Sequence, residues 1–482
     1  MSKEILINVE PQEKRVAVVS DGILEEFYIE RPQDKTIVGN IYKGVIEAVV
    51  PSVGAAFVDI GLPKKGFLYL SEIESVYEPL ENQGKKPASE FKKGQEVLVQ
   101  VVKESFGTKG PRLSCHIGIA GRYLVLMPQN GANIGVSRRI DDDAERRRLK
   151  RILGEIKLSP GIGFIIRTAA MGRSKNELIR DVNFLIKLWR RLEKQIRKNK
   201  APALIYEEYD LILRVIRDSF TDDVAKLAID SAKEYFRIRR FIKSFLKHLL
   251  RKMEFYRGDD LFEDKDVERQ INRIFENKVY LKSKAYIVIE ATEGLVVIDV
   301  NSGGYTRKLG QEEAAFRVNC EAAAEIARQL ILRDLGGIIV IDFIDMDKEE
   351  HRREVLNILK KSLRKDTAKY DILGISRFGL IEMTREHVHN TVQALSFHTC
   401  PYCQGKGRVK SPLTMSIYTL REIKKFLKRN KFPRQISVTL NPQVIDEVLN
   451  DKQSIRFIEK RFRTRINLIS NPSLHVEEIE IT

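Results

Sequence analysis

The sequence is poor in cysteine and has no long apolar run, and each of these shortages excludes a class of protein. Its 482 residues include four cysteines and one tryptophan. Four cysteines are too few for the disulfide framework of a secreted chain of this length. No apolar run approaches the roughly 18 residues that a membrane-spanning helix needs, and the segment that follows Met1 lacks the apolar core of a signal peptide. We therefore expect a cytoplasmic protein without a membrane span.

Positive charge, by contrast, is in excess. Lysine and arginine total 84 against 67 aspartate and glutamate, which gives a formal net charge of +17. Hydrophobic residues make up 43% of the chain, which is enough to build the cores of about three or four domains. A surplus of cations favours a polyanionic partner. Nucleic acid is the first candidate, and an acidic membrane surface is the second.

Two carboxylates, Asp299 and Asp342, each stand at the end of a run rich in valine and isoleucine. Between the two runs, apolar residues recur at helical spacing from Gln311 to Leu335, so the region predicts a strand, a helix and a second, parallel strand. Parallel strands end at the same edge of a sheet, which would bring both carboxylates and the Asn301 amide together as an oxygen-ligand site for Mg²⁺. The alternative is that each aspartate only ends a strand or caps a turn.

Residues 39 to 116 consist of short strand-like segments separated by turns. Five such strands in this space predict a small Greek-key barrel. Phe57 and Phe67, with the cations Lys43, Lys103, Lys109 and Arg112 near them in sequence, are the residue types that stack and neutralise single-stranded nucleic acid. Either phenylalanine could instead belong to the barrel core. The segments before and after the barrel are predicted to form one domain, which the barrel interrupts.

Two pairs of residues, Arg138–Arg139 and Arg167–Thr168, lie at predicted strand or loop edges. A guanidinium and a hydroxyl at such edges could grip a phosphate. Basic runs at 187–200 and 237–252 could follow a nucleic-acid backbone. Solvated surface residues are the alternative explanation for all of these cations.

The cysteines Cys400 and Cys403 have the spacing of a metal-binding knuckle, and the glycines that follow allow the backbone to turn around an ion. A structural zinc needs four ligands, and the sequence has no second pair at this spacing. The missing ligands could be His398 and another histidine, or the same two cysteines of a second chain. The lack of a second pair favours the shared site and hence a dimer. A redox-active dithiol is the competing interpretation, but such motifs open a helix, which Gly405 and Gly407 oppose.

Four segments together resemble the bacterial ribonuclease E/G family over nearly the whole chain. They are Asp299–Ser302, Arg333–Met346, Ser376–Leu380 and Cys400–Gly407. The resemblance implies a multidomain α/β and α+β fold. The implied parts are an RNase H-like domain (1–35 and 118–212) interrupted by an OB-fold RNA-binding barrel (36–117), a helical 5′-sensor segment (213–275), a DNase I-like catalytic domain (276–396), a zinc link (397–411) and a small C-terminal α/β domain (412–482). The 79 residues after Cys403 favour the shorter branch of the family, which has no long scaffold tail.

The resemblance also implies an activity, the cleavage of single-stranded RNA by an endoribonuclease. In the family, the aspartates matching Asp299 and Asp342 bind Mg²⁺, and the residue matching Asn301 orients the phosphate or an aspartate. Metal-activated water attacks the phosphodiester and leaves a 5′-phosphate. Precursor ribosomal RNA, through 5′ maturation, and messenger RNA, through decay, are the implied substrates. The competing hypothesis is a non-catalytic RNA-binding or ribosome-associated protein of the same fold.

Further family sites can be placed on matching residues. The RNA-binding positions of the barrel are Phe57, Phe67, Lys103 and Lys109, and the pocket that senses a 5′-monophosphate matches Gly121, Val125, Arg138, Arg167 and Thr168. Where that pocket has another arginine, this chain has Lys369, which keeps the charge but not the bidentate fork. The family shares one Zn²⁺ between the Cys400 and Cys403 positions of two subunits. A homodimer or homotetramer is therefore expected.

Overall fold

The computed structural model of the chain describes residues 2–72, 92–105, 109–128, 133–156, 161–292, 294–304, 310–376, 379–386, 396–430 and 433–482. The chain divides into two compact units, residues 1–392 and 393–482. Two residues of the family motifs quoted above, Arg377 and Phe378, lie outside the described residues. Among the helices described, none combines the length and the apolar character needed to cross a bilayer.

The first unit is mixed α/β. In chain order its strands are β1 (Lys3–Glu10), β2 (Glu13–Ser20), β3 (Ile23–Glu30), β4 (Ile41–Val50), β5 (Ala55–Asp59), β6 (Gly66–Tyr69), β7 (Glu96–Lys103), β8 (Arg112–Ser114), β9 (Ile119–Ala120), β10 (Leu124–Met127), β11 (Ile134–Val136), β12 (Gly163–Ile166), β13 (Ala203–Tyr206), β14 (Val224–Ile229), β15 (Met253–Phe255), β16 (Lys278–Tyr280), β17 (Tyr286–Ala291), β18 (Leu295–Asn301), β19 (Gly337–Asp342), β20 (Tyr370–Ile375) and β21 (Leu380–Arg385). Its described helices are α1 (Asp143–Gly154), α2 (Lys175–Lys198), α3 (Leu211–Ser219), α4 (Ala232–Phe245), α5 (Leu261–Asp264), α6 (Val267–Ile274), α7 (Gln311–Leu332) and α8 (Glu349–Leu363).

The N-terminal strands belong to a five-stranded sheet of order β15-β14-β1-β2-β3. β1 runs antiparallel to β2 and parallel to β14. Two strands from residues 213–275 complete this sheet, whereas residues 118–212 were predicted to do so. Residues 213–275 also contain α4, α5 and α6, so the segment is largely but not only helical. The long basic α4 separates β14 from β15 and dominates the periodicity of this region, and β15 has only three residues.

The barrel of five short strands is confirmed. β4 pairs with both β5 and β7, and β8 lies between β6 and β7, which closes the barrel. The buried side chains of Ile46, Val58, Leu68 and Val99 are among those that fill its core. A sixth strand, β13, comes later in the sequence than the barrel and pairs antiparallel with the first residues of β4. The barrel is therefore attached by backbone hydrogen bonds as well as by its two chain connections.

Residues 118–198 form a domain of their own around a four-stranded sheet of order β11-β12-β10-β9. Leu149 of α1 and Trp189 of α2 pack into a core with Phe164 of this sheet. The basic run at 187–200 lies mostly on α2, which begins at Lys175, where Ser174 and Glu177 form a capping box. The basic residues of α2 thus flank an apolar stripe that faces this core.

The region that contains Asp299 and Asp342 is a six-stranded sheet of order β16-β17-β18-β19-β21-β20. Helices α7 and α8 pack on one face, where Ile298, Ile341 and Ile326 are fully buried. The predicted strand, helix and parallel strand are confirmed as β18, α7 and β19. Because side chains alternate along a strand, burial of Ile298 and Val300 on the helical side directs Asp299 and Asn301 to the other face.

The second unit is a small α/β domain. Its strands are β22 (Gln435–Leu440), β23 (Arg465–Ser470) and β24 (Glu480–Ile481), and its helices are α9 (Pro412–Arg429), α10 (Pro442–Asn450) and α11 (Lys452–Phe462). The sheet order is β23-β22-β24, and Ile423, Val438 and Ile458 are fully buried in its core. Its first helix, α9, begins at Pro412 because the Ser411 side chain caps it.

Candidate active site and nucleic-acid interface

Asp299 and Asp342 lie directly opposite each other on the adjacent parallel strands β18 and β19. Neighbouring strands are about 5 Å apart, so the two exposed carboxylates share one spot on the sheet. The Asn301 Nδ2 amide donates to Asp299 Oδ2 at 2.7 Å. The structure therefore brings together the three side chains that the sequence selected, with Asn301 holding Asp299 in place.

The charge balance of this spot is unfavourable without a cation. Partial desolvation raises the pKa of Asp342, and the negative charges of Asp299 and Asp345 raise it further. Within the described ranges, no group of three or more histidine, cysteine or carboxylate side chains is arranged around a common point. Two carboxylates and an amide suit Mg²⁺, which keeps several waters and is often held by only one or two carboxylates. The residues present fit this ion.

Two side chains of α7 hold the backbone that follows Asp342. The fully buried Asn319 accepts from the Ile344 N–H at 3.1 Å and donates to its carbonyl at 2.7 Å. Glu312 accepts from the Asp347 and Lys348 N–H groups at 2.8 and 3.2 Å. Sequence reasoning missed both residues. The one available signal was an asparagine at a position of α7 where the helical spacing predicts an apolar residue.

The barrel carries a row of side chains across four strands. Phe57 on β5 pairs with Phe67 on β6, Phe67 pairs with Arg112 on β8, and Arg112 pairs with Lys103 on β7. Phe57 is 39% exposed, and the Phe57 and Phe67 ring centroids are 6.1 Å apart. Both rings are therefore on the outer surface rather than in the core. Lys109 is exposed on the turn before β8.

Five of the residues predicted to sense a phosphate lie near one edge of the four-stranded sheet. Arg167 and Thr168 directly follow β12, and Arg138 comes two residues after the parallel strand β11. The antiparallel strand β10 begins at the same edge, which places Gly121 and Val125 there. Arg167 donates to the Gly121 carbonyl and to Asp218 Oδ1, each at 2.7 Å.

Gly121 also has a structural reason to be glycine. A Cβ at this position would lie 2.7 Å from Asp181 Oδ2. The buried Asp181 carboxylate accepts the N–H groups of Arg122, Tyr123 and Leu124 at 3.3, 2.8 and 3.0 Å. These three backbone donors are therefore engaged by Asp181, which leaves the Arg167 side chain as the nearby candidate to bind a phosphate at this edge.

The segment before Lys369 is attached to the same region by a contact that the sequence did not reveal. The Arg139 guanidinium donates to the carbonyls of Asp366, Thr367 and Ala368 at 3.1, 2.6 and 2.8 Å. The backbone directly before Lys369 is thereby attached to the residue that follows Arg138. The structure connects the two cations although they are far apart in sequence.

The Cys400–Cys403 segment is a turn in the second unit. The backbone N–H groups of Cys403 and Tyr402 lower the pKa of the Cys400 thiol, which favours the thiolate that a metal binds. His475 lies nearby, but its Nε2 contacts the Tyr402 carbonyl at 2.7 Å and its Nδ1 accepts the Glu477 N–H at 3.1 Å. Both ring nitrogens are therefore engaged. The helix that follows begins at Pro412, so the cysteines do not open a helix as redox pairs do.

A sheet with paired carboxylates and a barrel with an exposed aromatic row are typical of a nucleic-acid-binding protein with a candidate metal centre. Comparison with known proteins gives the family. The sequence model of the ribonuclease E/G family matches residues 118–388, and the chain belongs to this family. Models of the S1 RNA binding domain and of the RNase E/G thioredoxin-like domain match residues 35–116 and 399–482.

The sequences of individual relatives are similar to this sequence over most of its length. Ribonuclease G of Escherichia coli K12 is 41% identical over 430 residues, which cover 88% of each chain. Ribonuclease G of Haemophilus influenzae is 39% identical over 97% of each chain. Ribonuclease E of the same organism is 40% identical over 99% of this chain and 52% of its own length. The family predicted from the motifs is confirmed.

Proposed function

We propose that this chain is an Mg²⁺-dependent endoribonuclease that cleaves single-stranded RNA and leaves a 5′-phosphate on the downstream product. The observation that carries the proposal is the carboxylate pair, Asp299 opposite Asp342, within the region that matches the ribonuclease E/G family. The names of the relatives, ribonuclease G and ribonuclease E, support the activity. Ribosomal RNA maturation and messenger RNA decay are the processes that we propose for it.

The chain's own residues would bind and orient the reacting groups. Asp299 and Asp342 would hold the ion, and Asn301 fixes the orientation of Asp299. When bound, Mg²⁺ supplies a Lewis acid that activates water and offsets negative charge on the phosphodiester. Asn319 and Glu312 keep the segment after Asp342 in one conformation, which matters because misplacement by 1 Å can cost a large factor in rate.

The barrel supports a single strand as substrate. Phe57 and Phe67 expose ring surface, and unpaired bases can stack on such rings whereas paired bases cannot. Lys103 and Lys109 have no carboxylate partner among the described residues, whereas Lys43 is paired with Glu96 at 2.8 Å. Free cations beside exposed rings are what a single-stranded backbone requires.

A preference for 5′-monophosphorylated RNA is a second part of the proposal. Arg167, Thr168 and Arg138 lie near one sheet edge, and Arg139 attaches the segment before Lys369 to it. Arg167 is paired with Asp218 in the absence of RNA, so a terminal phosphate would have to replace that carboxylate. A dianionic phosphate can do so, whereas a 5′-hydroxyl cannot.

The third part is a Zn²⁺ shared between two chains through Cys400 and Cys403, in a homodimer or homotetramer. The lowered pKa of Cys400 supports metal binding. The engaged nitrogens of His475 support ligands from outside the chain. Within the second unit as described, no third histidine or cysteine completes the site.

Cleavage assays on a single-stranded 5′-monophosphorylated oligonucleotide test the proposed activity. Asp342→Asn should lower the rate by on the order of a hundredfold or more, while RNA binding, measured by fluorescence anisotropy, stays within about twofold. Asp371→Asn is a matched control, since Asp371 is an exposed aspartate on β20 of the same sheet. Cleavage that persists in Asp342→Asn or without Mg²⁺ would contradict the mechanism. Binding without cleavage in the wild type would favour the non-catalytic alternative.

A further inference from the structure

The aromatic surface of the barrel extends beyond the two phenylalanines that the sequence singled out. Tyr69 lies two residues after Phe67 on β6, so both side chains are on the same face of the strand. The Phe67 and Tyr69 ring centroids are 5.0 Å apart, with the ring planes at 87°. Tyr69 is 38% exposed, nearly the same as the 39% of Phe57. Three contiguous rings therefore reach the barrel surface.

Arg112 is the cation closest to this third ring. Its guanidinium lies over Tyr69, 4.9 Å from the ring centroid, and the pairing of β8 with β6 places it beside Phe67. In the part of the chain that the structure describes, Arg112 has no carboxylate partner, and its buried Nε has no hydrogen-bond partner. A cation that is positioned by a ring but not neutralised is available to an anion.

Lys65, another cation of the barrel, differs from Arg112 because it has carboxylate partners. Its ammonium group is paired with Glu47 at 3.2 Å and with Asp59 at 3.1 Å, so its charge is already compensated. The barrel thus carries both neutralised and uncompensated cations. Among the barrel residues that the structure describes, Lys103, Lys109 and Arg112 have no carboxylate partner and lie near the aromatic row.

We propose that Tyr69 and Arg112 form a further nucleotide position of the barrel, in which Tyr69 stacks a base and Arg112 binds the adjoining phosphate. The ligand class, single-stranded RNA, rests on the proposed function. The position itself rests on the contiguity of the three rings and on the uncompensated guanidinium. The guanidinium also fixes the Tyr69 ring, which lowers the entropic cost of stacking a base on it.

Tryptophan fluorescence can test the stacking directly, because the chain has a single tryptophan, Trp189, which is only 7% exposed. In Tyr69→Trp, a 2′-O-methyl oligoadenylate should quench the new fluorophore, whereas inorganic polyphosphate should not. Phe457→Trp, at a 57% exposed position of the second unit, is the control for unspecific quenching. No quenching in Tyr69→Trp, at oligonucleotide concentrations where anisotropy shows binding, would overturn the stacking role.

Affinity measurements separate this inference from the proposed function. Tyr69→Ala should weaken oligonucleotide binding about five- to tenfold, and Tyr69→Phe should restore it. If Phe57→Ala weakens oligonucleotide binding and Tyr69→Ala does not, only the proposed role of Tyr69 is wrong. If neither substitution weakens binding, the proposal that the barrel binds RNA is wrong as well.

Salt dependence tests the role of Arg112. Arg112→Gln should reduce the slope of log affinity against log salt concentration by about 0.7, the change for one phosphate contact with a single strand. Lys65→Gln, which removes an already paired cation, should leave the slope nearly unchanged. Equal slopes for wild type and Arg112→Gln would overturn the phosphate contact.

Discussion

At the scale of single residues, Gly121 is a position that the fold requires to be glycine and that the proposal also places in the phosphate site. Glycine leaves room for the Asp181 carboxylate, which binds three successive N–H groups. Burial raises the pKa of Asp181, and the three N–H groups act against that rise. The loop beside Arg167 is therefore rigid because a buried carboxylate holds it.

Gly121→Ala should destabilise the protein by roughly 1–3 kcal/mol, because the added Cβ displaces a buried acceptor from its donors. Chemical denaturation measures the change. Gly154→Ala is the control, since a Cβ at Gly154 meets nothing within 4 Å. Equal free energies of unfolding for the two variants would show that Asp181 can move without destabilising the protein.

The cysteines differ in reactivity for a related reason. Burial raises the pKa of Cys115 to about 12 and that of Cys320 to about 11. Because the thiolate is the reactive form, alkylation at pH 8 in the presence of a chelator should modify Cys400 and Cys403, and should modify the other two only after unfolding. Mass spectrometry of the labelled peptides checks this. Rapid labelling of Cys115 in the folded protein would contradict it.

At the scale of elements, the positions of Asp299 and Asp342 follow from a supersecondary unit that can be predicted from the sequence. β-branched runs, a long helical repeat and glycines at its end predict a right-handed β-α-β crossover, and the paired carboxylates are its consequence. Asn319 could not be predicted in its role, because the helical pattern does not say which backbone segment a buried polar side chain will meet.

Asn319→Leu tests that role. Removing its two hydrogen bonds leaves the buried backbone of Ile344 unsatisfied, so stability should fall by about 2 kcal/mol, and cleavage should fall more than RNA binding. Glu313→Gln breaks an exposed ion pair with Arg317 on the same helix and should change stability by less than about 0.5 kcal/mol. Denaturation and single-turnover cleavage measure both effects. Unaltered cleavage in a folded Asn319→Leu would remove this residue from the support of the site.

The N-terminal sheet shows where sequence reasoning failed among the elements. β1, β2 and β3 follow one another closely in sequence, but their partner β14 is about 200 residues away, and short β15 follows a basic helix. Pairing between such distant strands leaves no local signal. The nearest strands after the barrel were therefore assigned to this sheet incorrectly.

At the scale of the whole molecule, hydrogen bonds from Arg139 and a buried ion-pair network together connect the edge that carries Arg167 to the sheet that carries Asp342. Arg139 binds the carbonyls of residues 366–368. The buried Asp366 carboxylate pairs with Arg385 of β21 at 2.6 Å, and Arg385 also pairs with Asp334 at 2.7 Å, just before β19. The two regions therefore share a rigid connection.

If this connection transmits end recognition, Arg139→Gln and Arg139→Lys should both reduce the ratio of cleavage rates between 5′-monophosphorylated and 5′-hydroxyl RNA. Lysine keeps the charge but cannot donate to three carbonyls at once. The rate on 5′-hydroxyl RNA serves as the internal reference. A normal ratio in Arg139→Lys would show that charge alone is sufficient.

The proposed zinc site shared between two chains gives a further prediction at this scale. Metal analysis should find about half a zinc ion per chain, because four thiolates complete a tetrahedral site. Cys400→Ser should release the zinc and lower the mass measured by light scattering. One full zinc ion on a monomer would contradict a shared site.

The pairing of β13 with β4 gives the barrel a fixed place in the first unit. Ile41 of β4 and Ile205 of β13 lie in the same core as Trp189 of α2, so the barrel is packed against this core in addition to being joined to it by the chain. For the proposed activity, one RNA strand would have to reach from the Phe57 surface of the barrel to Asp342. We therefore expect RNA that is long enough to occupy both places to be cut, and shorter RNA to be cut poorly. As oligonucleotides are shortened, cleavage should fall in a single step rather than gradually.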